Sequence, residues 1–224
     1  MAQAQAQIIE RFGRSPSYVV SCAGVAPAGA LLTSPVKMFT RAFDINAAAN
    51  VVLAQAFLPA MISNNHGHFM TVASSASYFS LPNLCAYSMS KTAALAFLES
   101  LRAELRAVYK ACRVRTSVVT PTKVRTVLAE GLNEGDDDFL MPVLEPIQVA
   151  RAMADTLNSG LSRNISLPLG SALLPYLRAL PEWYRGALRA MGNTDALVTP
   201  ESISRGQQAL RGHQSNLDLS LIHI

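Results

Sequence analysis

Three polar residues near the middle of the chain have the types and spacing of a proton-transfer site. Tyr87 and Lys91 lie four residues apart in AYSMSKTAALAFLESLRAEL, and Ser74 lies thirteen residues before the tyrosine. A spacing of four places both side chains on one face of a helix. A tyrosine normally titrates near pH ~10, and a neighbouring ammonium group favours the phenolate and lowers that pKa. A serine hydroxyl beside the phenol would hold a carbonyl or alcohol oxygen for general acid–base chemistry.

The tyrosine–lysine pair is weak evidence when it is taken alone. The chain has six tyrosines, and Tyr87 is the only one followed by a lysine at the fourth position. Such a pair also occurs on the exposed face of ordinary helices. The functional interpretation therefore depends on the elements that position these residues.

Strands and helices alternate along the chain. Short apolar, β-branched runs predict strands within SYVVSCAGVA, GHFMTVASS, RVRTSVVTP and RNISLPLG. Helical spacing of apolar residues covers 3–13, 35–63, 86–111 and 146–159. Strands and helices that alternate at this length predict an α/β fold, a doubly wound parallel sheet built from βαβ units.

The composition argues against several classes of protein. Half of the 224 residues are apolar and 15% are charged, enough for one domain with a substantial core. Residues such as Gln55, Pro59 and Asn64 interrupt the apolar runs before the ~18 residues that span a bilayer, and the polar opening predicts no signal peptide. The net charge of +4 is scattered, so no nucleic-acid partner is expected. Three cysteines without metal spacing favour a reducing compartment.

Two histidines raise the question of a metal site. His66 and His68 flank a glycine at the entrance to a predicted strand, and no third ligand is evident. We interpret them as turn residues and expect no metal.

Several stretches closely resemble the short-chain dehydrogenase/reductase family. The catalytic region of the family resembles FMTVASSASYFSLPNLCAYSMSKTAALAFLESLRAEL, and the helix that carries its fourth catalytic residue resembles FDINAAA. Its Asn-Asn-Ala-Gly turn resembles VVSCAGVA, and its Pro-Gly-x-x-x-Thr loop resembles VVTPTKVRT. The resemblance covers roughly residues 3–170 in the family's order. It is most like the branch of retinol dehydrogenases and 17-beta-hydroxysteroid dehydrogenases, including fungal members.

The resemblance implies a set of site residues. Tyr87 would be the acid/base, Lys91 would lower its pKa and bind the nicotinamide ribose, Ser74 would orient the substrate, and Asn46 would support a proton relay through water. Ser75 is the reserve candidate for the serine. The cofactor would be NAD or NADP, with contacts from Ala23, Gly24, Tyr87, Lys91, Pro121, Val124 and Thr126.

The sequence departs from the family pattern on the cofactor side. Ser21 and Cys22 replace two asparagines, Thr122 replaces a glycine, and no Gly-x-Gly-x-x-Gly or Gly-x-x-x-Gly-x-Gly motif occurs. The glycines of such a motif let a pyrophosphate approach a helix N-terminus. In the family's strand order, 3-2-1-4-5-6-7, we therefore expect a Rossmann-like sheet without its first three strands and two helices. YVVS would become an exposed apolar edge that promotes self-association.

Two functions remain open at this point. The first is an NAD(P)-dependent oxidoreductase that acts on a lipophilic alcohol or ketone by tyrosine-mediated proton transfer. The second is a truncated, catalytically inactive fragment that binds no cofactor. We expect the full-length form to be cytoplasmic, or peripheral on the endoplasmic reticulum or a lipid surface. A homo-oligomer formed through the long helices is a further expectation.

The C-terminal part carries less information. We expect residues 1–191 to form the partial Rossmann-type domain and residues 192–224 a polar tail. The apolar, proline-broken segment 167–191 is interpreted as a substrate lid, a membrane-surface segment or a packed helix pair, with Trp183 as a packing or interfacial anchor. Residues 219–224, LSLIHI, have a back-translation that resembles a transposon end used in sequencing libraries, so an artefact is one interpretation of them.

Overall fold

The four apolar runs that predict strands form one parallel sheet. A computed structural model describes residues 2–129, 142–191, 198–205 and 208. The strands are β1 (Tyr18–Ser21), β2 (Gly67–Val72), β3 (Val114–Pro121) and β4 (Asn164–Leu167), and they lie side by side in that order. Val20 pairs with Met70, which in turn pairs with Ser117. The predicted α/β fold with a parallel sheet is confirmed.

The helices follow the predicted apolar spacing closely. Their bounds are α1 (Ala2–Phe12), α2 (Val36–Phe43), α3 (Ala49–Ser63), α4 (Cys85–Ala107), α5 (Pro146–Ser159), α6 (Leu174–Leu177) and α7 (Glu182–Met191). A π-helical turn at Asp44–Ala48 joins α2 to α3, and 3₁₀ turns cover Ser75–Ser77, Val127–Ala129 and Leu169–Leu173. The polar tail predicted over residues 192–224, including LSLIHI, lies outside the described residues except for 198–205 and 208.

The core lies on both faces of the sheet, because successive strand residues point to opposite sides. On one face α3 and α4 bury a large cluster, against which Ile8 of α1 packs; its fully buried members include Met61, Phe69, Leu98 and Val118. On the other face α5 covers a smaller cluster of Met70, Val119, Leu144 and Val149. Helices on both faces make this a three-layer arrangement.

The helical stretch Val36–Ser63 corrects one expectation from the sequence. By length and composition this stretch is long and apolar enough to cross a membrane, although polar residues interrupt its apolar runs. In the structure one face of this stretch packs in the core: Phe57, Leu58 and Met61 are buried, and α3 contacts β2 and α4, while 33% of the most apolar window is buried. A core helix of a globular domain passes the same test, so the composition is weak evidence for a membrane span.

His68 differs from its predicted position in a turn. It lies inside β2, is buried, and its Nε2 is 2.8 Å from the Ser117 hydroxyl on β3. Burial, together with the nearby Arg115 guanidinium, lowers the pKa of His68 to about 4. The ring is therefore neutral at physiological pH and acts as a core residue.

β1 forms one edge of the sheet. In the part of the chain that the structure describes, no strand pairs with the outer side of β1. Val19 is buried against α3, while Tyr18 and Val20 are exposed on the opposite face. The exposed apolar edge expected from the sequence is therefore present.

Candidate active site

The residues that the sequence singles out converge at the carboxyl ends of β1 and β2. Ser74 follows β2, Gly24 lies in the loop after β1, and Tyr87 and Lys91 lie near the start of α4. Asn46 comes from the π-helical turn between α2 and α3. In open parallel sheets, ligands bind outside this edge of the strands.

Asn46 holds the loop after β1 in place. Its Oδ1 accepts a hydrogen bond from the Val25 N–H at 2.9 Å, and its Nδ2 donates to the Val25 carbonyl at 2.8 Å. Nδ2 also donates to the Ser90 hydroxyl on α4 at 2.8 Å. Three of the four hydrogen-bonding positions of this buried amide are thus occupied within the chain, and one acceptor position remains.

Three residues that the sequence interpretation missed support this arrangement. Asn50 Nδ2 donates to the carbonyls of Asn46 and Ala47, and it thereby supplies these two backbone acceptors of the π-helical turn with a hydrogen-bond donor. Thr71 of β2 donates to Asn50 Oδ1 at 3.1 Å, and Ser90 donates to the Tyr87 carbonyl at 2.8 Å. The sequence offered one signal for Asn50: it is a polar residue within an apolar helix. Because buried polar groups are almost always paired, such a residue indicates a structural hydrogen bond.

Lys91 is buried beneath the loop after β1. Its Nζ donates to the Val72 carbonyl at the end of β2 at 2.8 Å and lies 6.0 Å from the centroid of the Tyr87 ring. Burial lowers the pKa of Lys91 to about 8, and the nearby Cys22 thiol acts in the opposite direction. An ammonium has three N–H groups, so Lys91 retains donors for a ligand beyond the Val72 carbonyl.

The Ser74 side chain lies beside the Tyr87 phenol, where its interaction with the phenol acts to lower the pKa of Tyr87. Ser74 is also the N-cap of the 3₁₀ turn after β2, where its hydroxyl accepts from the Ala76 N–H at 3.2 Å. The structure therefore brings Ser74, rather than the reserve candidate Ser75, to the phenol.

The pKa of Tyr87 differs in direction from the sequence expectation. Burial raises this pKa, although Tyr87 as a whole residue is only half-buried, and the interaction with the Ser74 side chain opposes the rise. Lys91 was expected to lower the pKa of the phenol, but its ammonium faces the Val72 carbonyl. At the separation between Lys91 and Tyr87, the free-energy cost of desolvating the phenolate exceeds its attraction to the ammonium.

Gly24 passes directly over Asn46 and Lys91. A Cβ at this position would lie 3.1 Å from Asn46 Oδ1 and 3.2 Å from Lys91 Nζ, so a side chain there would crowd both groups. Without a side chain at this position, the backbone of the loop lets a ligand approach Asn46 and Lys91 closely. This part of the site fits the nicotinamide half of a dinucleotide.

The remaining predicted cofactor contacts lie on two loops. Ala23 is exposed beside Gly24, and Pro121 ends β3. Val124 bridges to Leu144, and the Thr126 hydroxyl is exposed and donates to the Val124 carbonyl at 3.3 Å. The buried Thr122 hydroxyl has no partner among the described residues, so it offers an unused polar group near this loop.

The site holds no cluster of metal ligands in the parts of the chain that the structure describes. No group of three or more His, Cys, Asp or Glu side chains comes together there. The chemistry that the geometry offers is proton transfer by Tyr87, with cationic and neutral hydrogen-bond donors beside it.

Comparison with known proteins gives the family. The profile of the short chain dehydrogenases matches residues 1–137. The chain belongs to the short chain dehydrogenase family.

Similar proteins come from animals and fungi. Human estradiol 17-beta-dehydrogenase 11 is 37% identical over 175 residues, which are 77% of this chain and 56% of that protein. Mouse epidermal retinol dehydrogenase 2 is 35% identical over 141 residues, 63% of this chain and 45% of that protein. Dehydrogenase RED3 of Cochliobolus heterostrophus is 43% identical over 103 residues, 46% of this chain and 53% of that protein. The chain spans about half the length of these relatives.

Solved structures share the fold. Acetoin dehydrogenase from Salmonella typhimurium superposes with a TM-score of 0.63 at 20% identity, covering 77% of this chain and 70% of that one. An alcohol dehydrogenase from Thermococcus sibiricus, solved in complex with 5-hydroxy-NADP, gives 0.62 at 21% identity, covering 74% and 68%. At this level of identity the likeness concerns the fold alone.

Proposed function

We propose that this chain carries the substrate and nicotinamide side of an NAD(P)-dependent oxidoreductase that acts on an alcohol or ketone. The observation that carries the proposal is the convergence of Ser74 and Tyr87 beside the buried Lys91, whose Nζ lies 6.0 Å from the centroid of the Tyr87 ring, next to the glycine loop after β1. Family membership supports the same class of reaction. In this proposal the catalytic residues are Asn46, Ser74, Tyr87 and Lys91.

Each residue has a distinct role in the proposal. A bound nicotinamide would supply or accept the hydride. The Ser74 hydroxyl holds the substrate oxygen, and Tyr87 gives a proton to that oxygen or removes one. Since burial raises the pKa of Tyr87, the phenol is protonated at neutral pH and suited to donate a proton to a carbonyl that is being reduced.

Lys91 and Asn46 act around the reacting groups. Lys91 has N–H donors left for the ribose hydroxyls, and its positive charge stabilises the phenolate when Tyr87 loses its proton. Asn46 binds Val25 and thereby holds the adjacent Gly24 close to Lys91. Its one remaining acceptor position is available to a relay water. Ala23, Gly24, Pro121, Val124 and Thr126 would complete the nicotinamide contacts.

The proposed substrate is a lipophilic alcohol or ketone of the steroid or retinoid class. Two of the similar proteins are named for estradiol and retinol. A cytoplasmic or lipid-surface location and a homo-oligomer through the long helices remain predictions.

A second candidate function is a fragment that binds no dinucleotide. It is favoured by the absence of a glycine-rich phosphate-binding motif from the sequence and by the match to about half of each relative. Much of the affinity for a dinucleotide comes from its phosphates, which such a motif binds. We therefore propose that the 224 residues alone bind NAD or NADP weakly.

One experiment separates the two candidates. We would assay the 224-residue chain and a chimera, in which the chain follows the amino-terminal region of human estradiol 17-beta-dehydrogenase 11 that precedes the match. Hydride transfer from NADH and NADPH to estrone and retinal is followed by the absorbance of the reduced nicotinamide. The proposal expects turnover by the chimera that Ser74→Ala reduces strongly and Ser75→Ala does not. A folded chimera that binds cofactor but shows no turnover would overturn the oxidoreductase proposal, and saturable micromolar binding by the chain alone would overturn the second candidate.

A further inference from the structure

The helix α7 has its charged and apolar residues on opposite sides. At about 100° per residue, Trp183, Ala187 and Met191 fall within one arc of the helix. Glu182, Arg185 and Arg189 fall within the opposite arc. The sequence alone therefore describes an ordinary amphipathic helix, whose apolar arc should face the protein core.

The structure places α7 the other way round. Trp183 is 74% exposed and Met191 is 83% exposed, and Ala187 is exposed between them. The side chains of Arg185 and Arg189 are only 28% and 21% exposed. The apolar arc thus faces outward, and the two arginines face the body of the protein.

Specific contacts hold this orientation. Arg189 donates to Glu182 at 2.8 Å, and Arg185 forms a second ion pair with the same carboxylate. The guanidinium of Arg189 also lies 5.1 Å from the centroid of the Phe79 ring, in the loop between Ser74 and Tyr87. Ion-pair and cation–π contacts therefore attach the charged side of α7 beside the candidate active site.

The segment before α7 presents a second apolar stripe. Leu169, Leu173 and Tyr176 have helical spacing and are all strongly exposed. Ser171 and Leu174, on the other side of this segment, are buried. Two consecutive helical segments therefore expose large apolar side chains, which is unusual for a free protein surface.

The chemistry of this surface favours one kind of partner. A substrate lid would turn its apolar residues toward the site, whereas these face outward. Trp183 and Tyr184 pack edge to face at 5.7 Å, and such aromatic rings favour the boundary between lipid and water. Glu182, the single acidic residue of 167–191, is paired with Arg185 and Arg189 on the inward side of α7, so the exposed Arg178 leaves a positive charge beside the apolar surface, which is complementary to an anionic one.

We propose that the apolar arc of α7, together with Leu169, Leu173 and Tyr176, docks on the surface of a bilayer that contains anionic phospholipids. The apolar side chains enter the region between headgroups and acyl chains, and Arg178, exposed between the two segments, lies near the headgroups. The contact orients the loop around Phe79 toward the membrane.

Vesicle binding tests this proposal without cofactor or substrate, so its outcome is independent of the proposed function. The full 224-residue chain is mixed with vesicles of phosphatidylcholine and phosphatidylserine, and with vesicles of phosphatidylcholine alone. Binding is measured by sedimentation and by the emission of Trp183, the single tryptophan. We expect binding to the anionic vesicles with a blue shift of Trp183 emission, and much weaker binding to the neutral ones.

A matched pair of variants localises the contact. Ala187→Glu adds a negative charge to the apolar arc, while Ala103→Glu makes the same change at an exposed position of α4. We expect Ala187→Glu to weaken binding about tenfold or more and Ala103→Glu to leave it near the unmodified level. The proposal would be overturned if both variants lost vesicle binding equally. It would also be overturned if the unmodified chain did not bind, or if it bound both vesicle types equally. A vesicle-independent dimer that Ala187→Glu disrupts would overturn it as well, since the surface would then be an interface between copies.

Discussion

Asn46 binds both backbone groups of Val25 through the two ends of its side-chain amide, at 2.9 Å and 2.8 Å. This places the loop after β1 against the π-helical turn between α2 and α3. Gly24 is thereby held so close to Lys91 that a Cβ would lie 3.2 Å from Lys91 Nζ and crowd it. The loop that we propose contacts the nicotinamide therefore depends for its position on a residue from another element.

Replacing Asn46 should destabilise the domain. Asn46→Ala removes three hydrogen bonds and leaves the buried Val25 contacts unmade, which should cost about 2–4 kcal/mol of unfolding free energy. The measurement is urea denaturation followed by circular dichroism. Gln55→Ala, at an exposed position of α3, is the control and should change stability by less than about 0.5 kcal/mol. Equal stability of the two variants would show that Asn46 does not hold the loop.

The burial of Lys91 should appear in the pH dependence of stability. Its pKa is lowered from 10.5 to about 8 in the folded state by desolvation. Between these values the unfolded chain binds more protons than the folded one, so this group makes stability rise with pH. The cost of keeping Lys91 charged, on the order of 3 kcal/mol, is present in full below pH 8 and disappears above pH 10.5.

Lys91→Met should remove this pH dependence. We expect the stability of the unmodified chain to rise relative to the variant by up to about 3 kcal/mol between pH 7 and pH 10.5. Urea unfolding across this range measures the difference, and Lys37→Met is the control at an exposed position of α2. If the difference in unfolding free energy between the unmodified chain and Lys91→Met stayed constant with pH, Lys91 would have the same pKa in the folded and the unfolded state.

The exposed edge strand should promote self-association. β1 leaves backbone hydrogen-bonding groups and the side chains of Tyr18 and Val20 open to another chain. Val20→Lys places a charge on this strand and should shift sedimentation toward the monomer. Val52→Lys adds the same charge at an exposed position of α3 and should leave the association unchanged. If Val52→Lys dissociated the protein equally, net charge rather than the β1 edge would govern association.

Much of the fold was predictable because the apolar periodicity is strong. The helix predicted over 146–159 matches α5, which begins at Pro146 after a capping box formed by Glu145 and Gln148 and ends at Gly160 with φ of +63°. Alternating strands and helices predicted a parallel sheet, and the order of its strands was an expectation from the family resemblance, with which the observed order agrees. The helix bounds depend on local sequence, which carries the information directly.

The details of the site were less predictable. The sequence identified Asn46, but the π-helical turn that presents it depends on tertiary partners such as Thr71 and Ser90. The direction of the Tyr87 pKa depends on burial, which spacing along the chain does not report. The sequence left segment 167–191 open among a substrate lid, a membrane-surface segment and a packed helix pair, because the orientation of α7 depends on tertiary contacts such as that of Arg189 with Phe79.

The most direct test of the account is hydride transfer by the chimera with Tyr87→Phe, which removes the titrating hydroxyl and preserves the ring. Tyr78→Phe is the control, because Tyr78 is also partly buried and lies in the loop between Ser74 and Tyr87. The account predicts that Tyr87→Phe lowers kcat by about 100-fold or more with cofactor affinity retained, while Tyr78→Phe stays within about twofold. Turnover by Tyr87→Phe at the level of Tyr78→Phe would contradict the assignment of Tyr87 as the proton-transfer residue.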